Sequence, residues 1–294
     1  MQILRGKEVA QNVYDQLREE TKAFVTRFGY APKLAVVLVG DDPASQSYVS
    51  GKKKACLDLG FDHKDYHLAS TTTQEQLLSL IQQLNEDTTV HGILVQMPLP
   101  AGIDPDLVIQ SINVKKDVDG FHPQSVGNLL IGNPGFISCT PQGVLEILDY
   151  YKIQTEGKHV VILGRSNIVG KPMASLLIQK GRDATVSVCH SRTKDLSSIT
   201  RQADILIAAI GKPLFVTESM VKEGAVVIDV GINRVEDASR KRGYRLVGDV
   251  DYENVASHCS AITPVPGGVG VMTIAMLMKN TMQAAKQFAD KEEK

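Results

Sequence analysis

The sequence is poor in the residues and patterns that mark several classes of protein. Its four cysteines are far apart, and no two are close enough for a Cys-x-x-Cys site: Cys56, Cys139, Cys189 and Cys259. This scarcity argues against a disulfide-rich secreted scaffold. No apolar stretch reaches the roughly 18 residues that a membrane-spanning helix needs. Residues 1–13 show no apolar run followed by a cleavage site, so we expect no signal peptide and a cytoplasmic protein.

A strong excess of charge is missing too. The chain has 32 basic and 33 acidic residues, a formal net charge of −1 and no basic domain, which argues against nucleic acid as a partner. Hydrophobic residues make up 43% of the composition, as is typical of soluble globular proteins. A length of 294 residues fits one large domain or two ordinary ones, and either can bury a substantial core.

Short apolar runs and helical segments alternate along the chain. The pattern predicts strands over 33–40 and 90–100, the second broken by proline, and helices over 44–60, 73–87 and 141–151. Four further apolar strands follow between 158 and 231. Strands that are apolar on both faces and alternate with helices are typical of parallel sheets, so we expect an α/β fold.

The density of strands suggests two lobes. Residues 1–139 form one α/β lobe in this prediction, and residues 140–271 form a second one with a parallel sheet. Residues 272–294 read as a long helix that returns to the first lobe, because the second is already complete. Met272, Met276 and Met278 at its start are expected to be ordinary core packing.

The loop from Gly164 to Gly170, GRSNIVG, joins a predicted strand to a predicted helix. Its glycines fit neither the usual dinucleotide fingerprint nor a Walker A loop. A helix start nevertheless offers free N–H groups and a partial positive charge, and Arg165 adds a guanidinium. We therefore predict a phosphate site at Gly164, Arg165 and Ser166. The alternative is a tight strand-to-helix turn with a solvated arginine.

The end of the next strand indicates which nicotinamide cofactor is used. An NAD site places an acidic residue there to accept the ribose 2′-hydroxyl. Here Ser191 and Arg192 follow the strand, and no carboxylate appears before Asp195. Ser191 can donate to a 2′-phosphate, and Arg192 can neutralise it together with Arg165. The sequence therefore predicts NADP as the cofactor.

A second group of polar residues lies in the first lobe. Ser45, Tyr48 and Lys52 are spaced i, i+3 and i+7 and share one face of the helix over 44–60. Gln96 follows a strand at the end where open α/β sheets bind ligands, and Asp119 lies in an Asp-Gly turn. Taken singly, each of these residues fits a structural role better than a catalytic one.

The chain resembles a known family through a series of motifs spread over residues 48–273. In order they are YVSGKKKA, VQMPLP, KDVDGFHP, CTPQG, GRSNIVGKPMA, CHSRT, DVGIN and ITPVPGGVGVMT. They are similar to those of the bifunctional methylenetetrahydrofolate dehydrogenase/methenyltetrahydrofolate cyclohydrolase family. Two departures are visible, Ser138 before CTP and Val271 after GGVG, at positions where the family commonly has proline.

The resemblance implies two reactions and a Rossmann-like NADP-binding second lobe. NADP oxidises 5,10-methylenetetrahydrofolate to the methenyl cation, and water then opens this to 10-formyltetrahydrofolate, in one-carbon metabolism that supplies purine biosynthesis. The first step needs the two reactants held face to face, and the second needs proton transfers. Neither step requires a metal, and the sequence has no metal-ligand cluster. The family also implies a homodimer that acts on tetrahydrofolate derivatives.

The resemblance assigns roles residue by residue. Lys52 matches the family's catalytic lysine. Burial beside a cationic substrate would lower the pKa of a lysine and let it act as a base. Gln96 matches the residue that holds this lysine, and Asp119 would accept hydrogen bonds from the pterin. The other matches are Tyr48, stacked on the aminobenzoyl ring, Ser45, Gly268 and Gly270 beside the substrate, and the backbone of Ile232 at the cofactor.

Two rival functions remain open at this point. One is an NADP-dependent dehydrogenase of a small hydroxy or amino acid, in which Lys52 and Asp119 would form an acid–base pair. The other is a non-catalytic NADP-sensing protein with the same fold. Turnover with folate or with small acids separates the three possibilities.

Overall fold

The computed structural model describes residues 1–240 and 243–292. Its strands, in chain order, are β1 Gln2–Ile3, β2 Lys33–Val39, β3 Asp62–Leu68, β4 Gly92–Val95, β5 His159–Leu163, β6 Thr185–Cys189, β7 Ile205–Ala208, β8 Val226–Asp229, β9 Asn233–Glu236, β10 Tyr244–Val247 and β11 Ala261–Ile262. Its α-helices are α1 Gly6–Phe28, α2 Pro43–Leu59, α3 Gln74–Glu86, α4 Pro105–Ser111, α5 Pro123–Ile131, α6 Cys139–Tyr150, α7 Gly170–Leu177, α8 Leu196–Thr200, α9 Tyr252–Val255 and α10 Gly270–Glu292.

The chain divides into two compact units. The large-sheet unit comprises residues 1–11 and 138–273, and the small-sheet unit comprises residues 12–137 and the chain from Ile274 onward. The first residues thus join the large-sheet unit, whereas the sequence pattern placed them with residues 12–139. The reason is β1, a strand of two residues that pairs with β11 and is too short to leave a sequence signal.

The small-sheet unit is built on three parallel strands in the order β3-β2-β4. The central strand β2 is buried from Leu34 to Val39, which explains its unbroken apolar sequence. Helix α3 packs Leu77, Ile81 and Leu84 into this core. Strand β4 ends at Val95, earlier than predicted; beyond it Pro98 and Pro100 have no N–H to continue the ladder.

The C-terminal helix α10 completes the small-sheet unit. Met276 and Met278 are fully buried, and Asn280 donates from Nδ2 to the carbonyl oxygens of Val118 (2.8 Å) and Ile137 (3.0 Å). The helix therefore returns to the first lobe, as predicted, and its methionines pack in the interior. The last two residues of the predicted helix, 293 and 294, lie outside the described residues.

The large-sheet unit contains six parallel strands in the order β1-β11-β8-β7-β5-β6. The chain runs outward from β5 to β6 and then returns to the other side of β5 at β7. The order of strands changes direction at this point, and open α/β sheets bind ligands at the carboxyl ends of such strands. The predicted parallel sheet is therefore confirmed. An antiparallel hairpin of β9 and β10, which the sequence pattern did not predict, lies outside this sheet.

Candidate active site

Helix α2 positions the predicted lysine. Asp42 caps its first turn by accepting a hydrogen bond from the Ser45 N–H (2.7 Å), and Pro43 occupies the start, where no N–H is needed. Gly60 ends the helix in the left-handed conformation with φ of 75°, as its sequence position predicts. The side chain of Lys52 on this helix is only 9% exposed.

Lys52 and Gln96 are in direct contact. The Nζ of Lys52 donates to Oε1 of Gln96 at 2.7 Å. Gln96 is held in turn, since its backbone N–H donates to Val37 O (2.8 Å) and its Nε2 donates to Met97 O (2.6 Å). The second bond orients the amide group, so that its oxygen faces the lysine. Strand β4 thus delivers a fixed acceptor to the buried ammonium.

The two neighbouring lysines have different surroundings. Lys53 is 55% exposed and pairs with Asp65 at 3.7 Å, and the exposed Lys54 pairs with Asp58 on its own helix. Only Lys52 of this triplet points into the unit. The triple lysine is therefore not one basic patch, in agreement with the helical spacing.

The remaining predicted residues of α2 differ in exposure. Ser45 is buried at 3%, whereas Tyr48 is 48% exposed, so its ring is accessible to a ligand. Asp119 is half-buried, in a turn that begins where Ile93 N–H donates to Lys116 O (2.8 Å).

Asp117 shapes that turn, although the sequence analysis did not select it. Its buried carboxylate accepts from the N–H groups of Phe121 (3.2 Å) and His122 (2.9 Å) and from the Ser125 hydroxyl (2.8 Å). Burial raises the pKa of Asp117 to about 6, against these hydrogen bonds, which lower it. The two acidic residues of KDVDG therefore have different tasks: Asp117 is buried within the turn, and Asp119 is the more accessible of the pair.

A cavity of about 310 Å³ lies at the carboxyl ends of β5, β6 and β7. The residues that line it are Leu163, Gly164, Arg165, Ser166, Cys189, His190, Ser191, Leu196, Ala209, Ile210, Lys212 and Phe215. None of these lining residues is acidic, and Arg165 and Lys212 are basic. The cavity combines apolar walls with positive charge, which suits a base and its phosphates.

The glycine loop forms one wall of this cavity. Gly164 has a φ of 121°, and a Cβ there would collide with the carbonyl oxygen of Ala209. The hydroxyl of Ser138, at a position where the family commonly has proline, donates to Ile168 O at 2.6 Å. The departure at residue 138 thus ties the loop down through a hydrogen bond that proline cannot make.

The start of α7 differs from the sequence prediction. The N–H groups of Val169 and Gly170 donate to the Ser166 hydroxyl at 3.1 and 3.4 Å, and Lys171 N–H donates to Ser166 O at 3.1 Å. The first N–H groups of the helix are therefore engaged by the loop itself and are not free for a phosphate. Arg165, which is exposed, is the charged group that the loop presents.

The structure brings some of the predicted cofactor residues together and leaves others apart. Gly164, Arg165, Ser166 and Ser191 all line the cavity, whereas Arg192 is exposed beside it and is not part of the lining. The sequence analysis missed Lys212 and Phe215. The signal for them was the carboxyl end of the third strand of the unit, because parallel strands end at one edge of the sheet.

Ile232, Gly268 and Gly270 also belong to the large-sheet unit, away from the lining of the cavity. Ile232 is 44% exposed, and a Cβ on Gly270 would collide with its Cδ1. A Cβ on Gly268 would lie 2.5 Å from Pro264 O. Close packing therefore requires glycine at 268, where the obstacle is backbone, whereas at 270 the obstacle is the end of a side chain that can shift.

Among the described residues, no group of three or more His, Cys, Asp and Glu side chains lies close enough together to hold a metal ion. None of the helices in residues 1–240 and 243–292 combines the length and hydropathy that crossing a bilayer requires.

Two domain families match the chain. Residues 4–119 match the catalytic domain of tetrahydrofolate dehydrogenase/cyclohydrolase, and residues 138–289 match its NAD(P)-binding domain. The chain belongs to the tetrahydrofolate dehydrogenase/cyclohydrolase family. The resemblance inferred from its motifs is thereby confirmed, and with it the predictions of a Rossmann-like second lobe, of a bifunctional dehydrogenase and cyclohydrolase, and of a nicotinamide dinucleotide, NAD(P), as cofactor.

Relatives of known name agree with this membership. The bifunctional protein FolD of Chlorobium phaeobacteroides (strain DSM 266) is 56% identical over 292 residues, covering 98% of this chain and 99% of the relative. The structure of FolD from Campylobacter jejuni is 52% identical with a TM-score of 0.93, covering 98% of this chain and 99% of that one. The Trypanosoma brucei enzyme, solved with NADP and an inhibitor, is 40% identical with a TM-score of 0.92 over 97% of both chains.

A more distant likeness bears on the rival dehydrogenase. Shikimate 5-dehydrogenase of Thermus thermophilus is 15% identical with a TM-score of 0.52, covering 87% of this chain and 99% of that one. At that identity the likeness shows the fold alone. The small-acid dehydrogenase is therefore not favoured.

Proposed function

We propose that this chain oxidises 5,10-methylenetetrahydrofolate with NADP and hydrolyses the resulting methenyl cation to 10-formyltetrahydrofolate, with Lys52 as the residue that manages the protons. The observation that carries the proposal is the buried Lys52 held by Gln96 at 2.7 Å. A lysine in this setting is not a solvated surface charge.

The hydrolytic step follows from that geometry. Water must lose a proton as it adds to the cation. When the ring opens, the departing nitrogen gains a proton and the new hydroxyl loses its own as the formyl C=O forms, so the overall step releases one proton. Burial disfavours the charged ammonium, so the amine of Lys52 can accept a proton from water. Gln96 presents its amide oxygen to the lysine, since its amide nitrogen is bonded to Met97 O. This oxygen only accepts a hydrogen bond, so it holds the side chain without donating a proton to it.

We assign the binding of folate to further residues of the small-sheet unit. Asp119 accepts hydrogen bonds from the pterin N–H groups, and the exposed ring of Tyr48 stacks on the aminobenzoyl group. Asp117 supports this by fixing the turn through three hydrogen bonds. Ser45 completes the proposed contacts of this unit. The family resemblance also assigns Gly268 and Gly270, which belong to the large-sheet unit.

We place NADP in the cavity at the ends of β5, β6 and β7. The bound cofactor supplies a hydride acceptor, and the chain supplies its binding. Arg165 and Ser191 hold the 2′-phosphate, with Arg192 adding charge from outside the lining, and Gly164 and Ser166 form the loop beside the phosphates. The apolar walls, including Phe215, suit the adenine ring, and Ile232 contacts the cofactor through its backbone.

The proposed function is tested by following absorbance with methylenetetrahydrofolate and either NADP or NAD. We expect reduction of NADP in preference to NAD, and decay of methenyltetrahydrofolate faster than in buffer. Shikimate and other small hydroxy acids should give no turnover. Turnover of a small acid without turnover of folate would contradict the proposal, as would NADP binding without either reaction.

The setting of the reaction is proposed on the strength of the family alone. We propose a cytoplasmic homodimer whose product supplies formyl groups for purine biosynthesis. Light scattering on the purified chain should give twice the monomer mass. Cell fractionation tests the compartment, and a purine requirement in cells that lack the gene tests the metabolic role.

A further inference from the structure

A buried carboxylate outside the predicted site contacts one wall of the NADP cavity. Asp249 follows β10 and is completely buried. Its Oδ2 accepts hydrogen bonds from the backbone N–H groups of Ile210 (2.7 Å) and Gly211 (2.9 Å). These two residues follow β7, and Ile210 lines the cavity. The carboxylate thus replaces the ladder partners that the chain loses where the strand ends.

The backbone of the same residue holds the far end of that wall. The carbonyl oxygen of Asp249 accepts from Val216 N–H at 2.9 Å, and Gly248 O accepts from Leu214 N–H at 3.1 Å. Phe215, which lines the cavity, lies between these two bonded residues. One short segment, 248–249, therefore fixes both ends of the stretch from Ile210 to Val216.

The wall is also in contact with the glycine loop. Ala209 donates its N–H to Leu163 O at 2.8 Å, and its own carbonyl oxygen occupies the space that a Cβ of Gly164 would need. A displacement of residues 209–211 would therefore reach the opposite wall of the cavity. Close-packed contacts of this kind transmit small shifts, since there is no free volume to absorb them.

The other oxygen of Asp249 reaches a third part of the unit. Its Oδ1 accepts from Nδ2 of Asn233 at 2.9 Å, and Asn233 directly follows Ile232. Gly231 packs directly against the same oxygen, and a Cβ at residue 231 would collide with it. The carboxylate thus links the cavity wall to the segment that carries Ile232.

Asp249 is itself held by a second buried carboxylate, Asp229, at the end of β8. Oδ1 of Asp229 accepts from the N–H of Asp249 (3.0 Å) and Oδ2 accepts from the N–H of Val250 (2.9 Å). Burial raises the pKa of Asp229 to about 7, with the neighbouring Asp249 as a smaller contribution. Two carboxylates are buried side by side here at an energetic cost, which a purely apolar packing of the sheet would avoid.

We propose that Asp249 is a positioning residue for NADP, which holds the wall from Ile210 to Val216 and the segment of Ile232 in the arrangement that receives the cofactor. The inference rests on the proposed location of NADP in this cavity. A cavity that is already ordered loses less conformational entropy when NADP binds. Losing that order should therefore weaken the affinity for NADP. Asp249 does not touch the reacting atoms and acts through the backbone that it holds.

The test is a titration of NADP into Asp249→Ala and Asp249→Asn, with intrinsic tyrosine fluorescence or calorimetry as the readout. Asp249→Ala removes the acceptor of three hydrogen bonds and should raise the Kd for NADP by about 20-fold or more. Asp249→Asn keeps one acceptor oxygen for Ile210 and Gly211, and Asn233 can turn its amide, so the rise should be smaller, about 3- to 10-fold.

A role confined to stability would give a different pattern. Cyclohydrolase activity needs no NADP, so its apparent kcat, at an unchanged KM, reports on the folded fraction of each variant. Asp204→Asn is the matched control, since Asp204 accepts the N–H of His159 (2.9 Å) at the opposite end of β7 and should leave the Kd unchanged. Either Asp249 variant with normal cyclohydrolase activity and a Kd within twofold of the unaltered chain would overturn the proposal.

The location of NADP is checked separately. Arg165→Ala removes a charged residue of the lining and should weaken NADP binding whatever residue stands at 249. If Arg165→Ala has no effect while the Asp249 variants do, the cofactor lies elsewhere, and both the location and this proposal fail. Weaker binding in Arg165→Ala together with an unchanged Kd in the Asp249 variants overturns the positioning role alone.

Discussion

The ammonium of Lys52 and the amide oxygen of Gln96 are 2.7 Å apart, although 44 positions separate the two residues in sequence. Helix α2 provides the lysine, and the residue after β4 provides the glutamine. The amide nitrogen of Gln96 is bonded to Met97 O, which turns the amide oxygen towards the lysine. This contact is the structural basis of the first prediction.

Lys52→Met should reduce cyclohydrolase activity by about 100-fold or more, the usual contribution of a positioned acid–base group. Hydride transfer should fall much less, because it needs no base. Lys53→Met is the matched control, since Lys53 is adjacent, 55% exposed and paired with Asp65. Both activities are measured on the same preparations, and equal retention of the two in Lys52→Met would remove Lys52 from the mechanism.

Ser191→Asp should change the choice of cofactor. Ser191 lines the cavity, where no lining residue is acidic, and a carboxylate there would repel a 2′-phosphate while accepting a ribose 2′-hydroxyl. We expect the ratio of kcat/KM for NADP to that for NAD to fall by about 10-fold or more. Ser219→Asp, on the exposed surface of the same unit, should leave the ratio unchanged. An unaltered preference for NADP in Ser191→Asp would count against the assignment.

Gly164→Ala should damage both the cofactor site and the stability of the chain. The new Cβ meets the carbonyl oxygen of Ala209 in a backbone conformation with φ of 121°. The cost should be roughly 2 to 5 kcal/mol in the free energy of unfolding, with weaker NADP binding in the folded protein. Gly127→Ala is the control, because no atom lies within 4 Å of its Cβ and the residue is in helix α5. The comparison is made by denaturant unfolding and NADP titration, and equal stability of the two variants would contradict the expected collision.

His91 should make the small-sheet unit sensitive to acid. Burial, with smaller contributions from Lys116 and Lys33, lowers the pKa of His91 to about 4. The ring is 3% exposed, stacks on Tyr30 at 5.6 Å, and accepts the Lys33 N–H at Nδ1 (2.9 Å). Because the pKa of this histidine is lower in the folded chain than in the unfolded chain, protonation at low pH stabilises the unfolded chain. The contribution of His91 is therefore intact above about pH 6.5 and is lost as the pH falls towards 4, by an amount on the order of 3 kcal/mol.

The measurement compares the unaltered chain with His91→Asn, in which the amide oxygen can still accept the Lys33 N–H but does not titrate. The variant should be less stable near pH 7.5, since it loses the stacking, and the difference should shrink as the pH falls below 6.5. Comparison with a variant is needed because Asp117 and Asp229, with raised pKa values of about 6 and about 7, change stability in the opposite direction over this range. A constant difference between His91→Asn and the unaltered chain would refute the role of His91.

Much of the fold could be predicted because its signals are local. The buried run of β2, the cap at Gly60 and the stripe of Leu77, Ile81 and Leu84 depend on neighbours in sequence, and the structure has each of them. The pair β9 and β10 and the two-residue β1 had no such signal. A strand of two residues is defined by its partner, and β11 lies far away in sequence.

The candidate site divides in the same way. The types of residue and their spacing indicated Lys52, Gln96 and Ser191, and the structure joins the first two and places the third in the cavity. The free N–H groups expected at the start of α7 are instead bonded to Ser166. The side-chain rotamer of Ser166 places its hydroxyl within reach of two of them, and the sequence does not determine that rotamer. Lys212 and Phe215 entered the lining only when the ends of three strands came together.

The order of residues along the chain by itself determined the α/β class, the two parallel sheets, the motifs that identify the family and the absence of an acidic residue just after β6. These features follow from periodicity and residue type, which act over a few positions. Only the tertiary structure decided which polar groups are buried and which hydrogen-bond donors they accept from. One example is the carboxylate of Asp249, which accepts a hydrogen bond from the Ile210 N–H, 39 positions away in sequence. Burial and hydrogen bonding between distant segments arise from packing, and the energy of a buried charge depends on every segment packed around it.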